Sequence, residues 1–476
     1  MIRRTAAPLT VAIAFFLSFA AGSSAARLAL DDYVARPDPV YNWKLVRKIA
    51  VGDGHGYVLE MTSQKWLTRA EVNRPVWTHW VNIVLPAQVK HSTALLFIGG
   101  GSNDTQAPKT IDSMFQKIAS ALGIVVAEVR MVPNQPLVFA GDGRERSEDA
   151  IIAYAWRKFL ETGKPEWLPR LPMTKAAVRA MDTATAFCRQ NGVEIDHFIV
   201  AGGSKRGWTT WTTAAVDKRV VAIAPMVIDV LNLEPSMIHH YRAYGFWAPA
   251  IADYEREGIM DWIGTERFRT LLRQVDPYQF RERFTMPKYL INSTGDQFFL
   301  PDSSRFYFKD LPGEKLIRYV PNTGHSLDGG ENLVESFAAW MGLVLENRPR
   351  PRLEWEFPGE GGIVARADTR PRRVRLWQAY NPKARDFRVD VLGKVWKAST
   401  LQPGPGGVYH AQPPKPKSGW RAYFLEFTFE AGKFPLIVTT PVRVVPDTLP
   451  YPAPKPAAAE TTAAAAPARV PALAAE

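Results

Sequence analysis

The stretch Val200-Ala201-Gly202-Gly203-Ser204-Lys205-Arg206-Gly207-Trp208 decides the fold. The apolar run His197-Phe198-Ile199-Val200-Ala201 enters it as a strand, and a helical pattern from Lys205 to Val216 leaves it. A strand that turns straight into a helix has room only for small residues beside the turn, which Gly202, Gly203 and Gly207 supply. Ser204 then stands at a helix N-terminus, where backbone N–H groups can hold a developing negative charge. The common form of such a turn is G-x-S-x-G. Here Arg206 takes the second place after the serine and glycine arrives one residue later.

Outward from this turn the chain keeps one rhythm. Strand candidates Ala94–Ile98, Ile124–Val129, Val220–Val227, Tyr289–Asn292 and Leu316–Val320 alternate with helical segments over 110–122, 145–161, 174–191 and 331–345. Near-continuous apolar strands between helices predict a mostly parallel sheet with helices on both faces. Residues 43–90 alternate differently. Tyr57–Met61 and Trp77–Leu85 read as antiparallel edge strands, preceded by a polar, proline-containing arm over 27–42. Residues 230–286 interrupt the rhythm with a helical insertion rich in aromatics, Tyr241, Tyr244, Phe246, Trp247, Tyr254, Trp262 and Phe268, which reads as a lid over the strand ends. Residues 350–446 break into seven short strand candidates punctuated by Gly, Pro and Asn, the pattern of a small all-β sandwich. The Pro/Ala-rich residues 447–476 read as a disordered tail.

A serine hydroxyl needs a base, and the base an orienting carboxylate. In a parallel sheet both are expected beyond later strands, at the carboxyl edge, in the order serine, acid, histidine. Asp296 follows strand 289–292 and His325 follows strand 316–320. Asp229, just after strand 220–227, is the alternative acid. Backbone N–H groups of Lys205 and of Gly100 or Gly101, in the glycine loop after strand 94–98, are the candidate oxyanion donors. Trp208, Tyr244, Trp247 and Phe298 are the candidate substrate-binding side chains. Lys205 and Arg206 either meet an acidic group of the substrate or form salt bridges. The pair His239-His240 lacks a third ligand at convincing spacing, so no metal is assigned, and His79 between two tryptophans reads as structural. The glycine loop lacks the Gly-Lys-Ser/Thr of a phosphate loop, and the chemistry requires no cofactor.

Composition narrows the class. With 476 residues the chain is too long for one ordinary domain, and 46% hydrophobic with 22% charged residues is ordinary for a globular protein. One cysteine, Cys188, excludes an intramolecular disulfide and any cysteine-cluster metal site. It reads as a small hydrophobe buried on a helix. Met1-Ile2-Arg3-Arg4, the apolar Leu9–Ala21 and Ser24-Ala25-Ala26 form an export signal cleaved after Ala26, with a retained anchor as the alternative. Cleavage leaves no transmembrane span and places the protein in a periplasm or the medium. The net charge of +12 is concentrated in residues 350–446, where 17 basic face 8 acidic side chains. That segment is either a solvated face or a contact for an anionic envelope surface. No specific nucleic-acid partner is expected.

Thr62-Ser63-Gln64-Lys65-Trp66, Trp77-Thr78-His79-Trp80, Gly99-Gly100-Gly101-Ser102-Asn103, Gly203 to Trp211, Val227 to Asn232, Gly295 to Phe299 and Gly324-His325-Ser326 resemble the PhoPQ-activated pathogenicity-related family, a branch of the α/β-hydrolase superfamily. These segments span about residues 60–330. The resemblance implies an α/β-hydrolase-like fold, export, and an association with bacterial envelope stress and virulence. It names no substrate. The G-x-S-K-R-G turn matches the family's own pattern. A fainter likeness is to glucuronoyl-type carbohydrate esterases, where a basic residue also follows the serine. The expectation is an exported serine hydrolase cleaving an ester or amide of a small molecule or peptide. The alternative is a non-catalytic, envelope-binding protein on the same scaffold.

Overall fold

The computed structural model describes residues 28–455 apart from 53 and 360. The export segment, and the expected tail beyond residue 455, lie outside the described residues. The arm contains a short helix, α1 (Ala29–Ala35), whose Leu30 and Tyr33 are buried. Three long strands follow: β1 (Asn42–Val51), β2 (Gly54–Lys65) and β3 (Val76–Leu85). The alternating region then runs through β4 (Thr93–Ile98), α2 (Ser113–Leu122), β5 (Val126–Val129) and a small hairpin of β6 (Leu137–Val138) and β7 (Glu145–Arg146). It continues with α3 (Asp149–Thr162), α4 (Arg170–Gln190), β8 (His197–Gly203), α5 (Lys205–Val216) and β9 (Val220–Met226). The expected lid holds α6 (Leu233–Tyr244), α7 (Ala252–Arg256) and α8 (Glu266–Val275). After it come β10 (Lys288–Ser293), β11 (Lys315–Val320) and α9 (Leu333–Leu345).

These strands form one nine-stranded sheet in the order β1-β2-β3-β5-β4-β8-β9-β10-β11. The first three are antiparallel; β5, β4, β8, β9, β10 and β11 are parallel to one another. The parallel strands are apolar on both faces because helices cover both. Leu95 and Leu96 on β4, and Ile199 and Val200 on β8, are fully buried. All six parallel strands end at the same edge, so the loops carrying Gly100, Ser204, Asp229, Asp296 and His325 open there. The architecture is that of an α/β hydrolase.

The C-terminal region is all-β, as its turn spacing implies. It consists of β12 (Leu353–Glu356), β13 (Ile363–Ala367), β14 (Arg373–Asn381), a one-turn helix α10 (Val389–Leu392), β15 (Lys397–Thr400), β16 (Tyr409–Ala411), β17 (Trp420–Ala431), β18 (Phe434–Thr439) and β19 (Arg443–Val445). Sheet β12-β13-β16 packs on sheet β15-β14-β17-β18, with Tyr409 meeting Phe427 edge-on at 5.4 Å; β19 pairs with β17. This region is joined closely to the large sheet. Tyr289 donates to the Ile437 carbonyl at 2.6 Å, and the Tyr319 N–H donates to Thr439 Oγ1 at 3.1 Å. Many of its arginines are taken up by ion pairs: Arg350 with Glu314, Arg373 and Arg375 with Glu331, Arg385 with Asp302, Arg388 with Asp386.

The tail was expected from residue 447, but residues 447–451 are placed against the body. Asp447 pairs with Arg305 at 2.8 Å, and the Tyr451 N–H donates to the Arg242 carbonyl at 3.1 Å. The Tyr451 ring lies where a Cβ on Gly245 would stand, so glycine there makes room for it. Among the described residues no helix is long and apolar enough to cross a membrane.

Candidate active site

Ser204 sits between β8 and α5 with φ 56° and ψ −126°. A non-glycine residue in this region is strained and persists only where its surroundings hold it. The Ser204 N–H donates to the Met226 carbonyl, and the Trp208 N–H to the Ser204 carbonyl. Close approach enforces the neighbouring glycines. A Cβ on Gly202 would stand 2.9 Å from the Arg206 carbonyl oxygen, and one on Gly207 2.9 Å from the Met226 carbonyl oxygen. A Cβ on Gly202 would also stand 3.1 Å from the Arg206 Cβ, so glycine at 202 leaves room for a side chain in the second place after the serine. A serine at a helix start ordinarily caps it through its hydroxyl. Ser204 makes no such bond, so its hydroxyl is not engaged as a cap.

Asp296 and His325 are brought together from the loops after β10 and β11. Nδ1 of His325 lies 2.9 Å from both carboxylate oxygens of Asp296. Asp296 is buried and also accepts from the Phe298 N–H at 2.8 Å. The His325 N–H donates to Gln297 Oε1 at 2.9 Å, and the Phe298 ring lies on the imidazole with centroids 4.3 Å apart. The third link, from Ser204 Oγ to His325 Nε2, is not formed in this structure: Nε2 is buried and has no hydrogen-bond partner. The C-terminal region braces both loops. The Val389 N–H donates to the Gly295 carbonyl, and Val389 packs where Cβ atoms on Gly295 and Gly324 would stand.

Asp229, the alternative acid, is elsewhere engaged. Its two oxygens accept from Tyr307 and Tyr319, both at 2.6 Å. Burial pushes its carboxyl up to about 7, against the pull of the two tyrosine hydrogen bonds. A carboxyl raised in the folded state contributes stability that is complete below its unfolded value of about 4 and lost as the pH rises through about 7. Relative to the parent, Asp229→Asn is therefore expected to gain stability between pH 4 and 7, by up to ~1.4 kcal/mol per pH unit. Urea unfolding of both proteins across that range measures it; a constant difference would contradict the assignment.

Lys205 and Arg206 form salt bridges. Lys205 Nζ lies 2.8 Å from Glu148 and 3.0 Å from Asp149, and Arg206 lies 2.7 Å from Glu148. Burial alone would raise the Glu148 carboxyl, but Arg206 and Lys205 hold it down at about 2. Glu148 opens α3 with φ 54° and ψ −127°, nearly the backbone of Ser204. The Arg206 guanidinium lies against Gly100, where a Cβ would stand 2.7 Å from it. The glycine loop thus adjoins the first turn of α5, whose Lys205 N–H is among those left without an intrahelical acceptor. Gly101 has φ 126°; neither Gly100 nor Gly101 lines the adjoining cavity.

That cavity, counted together with the open solvent at its mouth, spans about 600 Å3, and its wall is mostly apolar. Ser204, Lys205, Trp208 and Phe298 line it, as does Phe299. Tyr244 and Trp247, expected beside them at the substrate, do not line this cavity. Leu233 and Met237 on α6 face the cavity, but Tyr244 lies seven residues beyond Met237, about 10 Å further along the axis. There Tyr244 packs with Ala243, Ala248 and Leu300, and Trp247 packs on Tyr241. Of the seven lid aromatics only Tyr254 and Phe268 face the cavity. Asp149 and Trp156 on α3 and Arg170 on α4 also line it; the first two fell within an expected helix, while Arg170 lies before the helix expected over 174–191. His239 contacts Asp302 at 3.2 Å, and His79 bridges Ser63 and the Arg130 carbonyl. Cys188 is buried on α4.

A family model described as "PhoPQ-activated pathogenicity-related protein" matches residues 30–388. "Autocrine proliferation repressor protein A" of Dictyostelium discoideum is 39% identical over 457 residues, covering 89% of this chain and 91% of that protein. An acetyl xylan esterase from Paenibacillus sp. R4 superposes with a TM-score of 0.47 at 14% identity, over 67% of this chain and 92% of its own. Acetyl xylan esterase 1 from Thermoanaerobacterium sp. JW/SL YS485 gives 0.46 at 17%, over 66% and 93%.

Proposed function

This chain belongs to the PhoPQ-activated pathogenicity-related protein family, and we propose that it is an exported serine hydrolase that cleaves an ester or amide. One observation carries the proposal: a serine held at φ 56° where a strand enters a helix, on the same sheet edge as a 2.9 Å aspartate–histidine pair. Ser204 is the nucleophile. Asp296 fixes the imidazole so that Nδ1 carries the proton and Nε2 is the base. That nitrogen has no partner, which leaves it free for the serine hydroxyl. Catalytic hydrogen bonds are often long or unformed before substrate binds. In the forward step Oγ attacks the carbonyl carbon, its proton passes to His325, and the oxyanion accepts from the Lys205 N–H and an N–H of the 99–101 loop. His325 then returns the proton to the leaving group, and water repeats the sequence on the acyl-enzyme. Residues 1–26 supply the export signal.

The unformed Ser204–His325 bond favours a second reading, a binding protein on a hydrolase scaffold without turnover. A panel of p-nitrophenyl esters and aminoacyl anilides separates the two. Turnover that falls about 10^4-fold in His325→Ala supports the hydrolase, and no turnover of any member supports the binder.

A further inference from the structure

Two acids and three bases meet under the candidate nucleophile. Glu148 and Asp149 are both paired with Lys205, and Glu148 also with Arg206. The fifth group, Arg170, lines the same cavity as Ser204 and is 2% exposed. It has no carboxylate within ion-pair distance among the described residues. Its NH1 donates to the Lys205 carbonyl at 3.0 Å and touches Met173 sulfur at 4.0 Å; its Nε has no partner. Its guanidinium stacks over the Trp208 ring at 4.3 Å. Burial lowers its pKa only to about 10, so it stays charged at neutral pH. Burying an arginine without a counter-ion is costly, and a planar guanidinium suits a carboxylate. Asp149, itself 3.0 Å from Lys205, also lines the cavity and acts on Arg170 from beyond ion-pair distance; apart from Ser204, Lys205 and Tyr254 the remaining wall, including Trp156, Leu233, Met237 and Phe268, is apolar.

We infer that the cavity beside Ser204 binds an apolar group bearing a carboxylate, with Arg170 as the residue that recognises the anion. This rests on the hydrolase reading only for the fate of the ligand: the substrate is then an ester or amide that carries such a group. Arg170 satisfies the carboxylate, the apolar wall takes the hydrocarbon body, and the cluster of two acids and three bases becomes neutral.

The test uses the full-length protein and two near-isosteric probes, 4-phenylbutanoate and 4-phenylbutanamide, in isothermal titration calorimetry at pH 7. The carboxylate should bind about tenfold tighter or more than the amide. The difference should vanish in Arg170→Met and survive in part in Arg170→Lys. Equal affinities in the parent, no binding of either probe, or an undiminished difference in Arg170→Met would overturn the inference. If Arg170→Met does not fold, the parent comparison and Arg170→Lys decide it: equal affinities in the parent, or a difference in Arg170→Lys as large as in the parent, would overturn it. In parallel, each probe competes with fluorophosphonate labelling of the parent, and the carboxylate should protect at about tenfold lower concentration. A parent that discriminates the probes yet takes no label would leave the anion site standing and reject the hydrolase.

Discussion

Replacing Ser204 by alanine is expected to abolish labelling by a fluorophosphonate probe and to lower ester turnover about 10^4-fold or more. The size follows from how the parts act. A nucleophile, its base and the orienting carboxylate work as a unit, so losing the first member removes covalent catalysis while leaving substrate binding and the oxyanion donors. The substitution itself is small. Ser204 makes no side-chain cap, and alanine removes one hydroxyl from a site whose glycines and backbone contacts remain. The positive φ already strains any residue bearing a Cβ, so alanine adds little to the strain. Unfolding midpoints of Ser204→Ala and parent should therefore agree closely. Labelling that persists in a folded Ser204→Ala protein would place the nucleophile elsewhere.

Arg385→Met is expected to destabilise the whole chain by about 3–5 kcal/mol, because it leaves a buried carboxylate without its main partner. Arg385 is 1% exposed and Asp302 3%, and they meet at 2.6 Å; His239 at 3.2 Å and the half-exposed Arg305 at 3.4 Å are the other close contacts of that carboxylate. Burial alone would raise the Asp302 carboxyl, but Arg385 and His239 hold it well below its ordinary range. A depressed carboxyl contributes stability that is present above its unfolded pKa of about 4 and lost as the pH falls through its folded value. The gap between parent and Arg385→Met should thus be full at pH 7, narrow below about pH 4 and close only as the pH falls through the much lower folded value. Because Arg385 belongs to the C-terminal region and Asp302 follows the Asp296 loop, the same substitution should loosen the candidate site. Denaturation at pH 7 and at a series of pH values descending below about 4 reads the effect. An unchanged midpoint at pH 7 would mean that the two regions fold independently.

The elements were largely legible because their signals are local. An apolar run of strand length before Ser204, glycines beside it and a helical period after it are written within a dozen residues, and β8 and α5 lie within a residue or two of where they were expected. The same holds for the strands before Asp296 and His325, and for most strands of the C-terminal region. The arm was less legible. Its short helix α1 is held by packing on α4 rather than by any strong periodicity of its own. The lid aromatics misled for a related reason. Composition says that a helical segment carries Tyr244 and Trp247, but not which stretch of α6 crosses the cavity.

Covalent order and local propensity determined where strands turn into helices, and therefore that Ser204, Asp296 and His325 fall at the same ends of parallel strands. They also determined that a helical insertion and an all-β region exist. Which acid meets His325 was settled by folding, since Asp229 and Asp296 stand in equivalent places along the chain and only neighbouring tyrosines, from distant segments, claim the first. Folding likewise set Arg170 beside Trp208, and Val389 under the Asp296 and His325 loops. Those contacts join residues tens of positions apart. Their free energy comes from burial and charge pairing that exist only once the layers have packed, so no local pattern carries them.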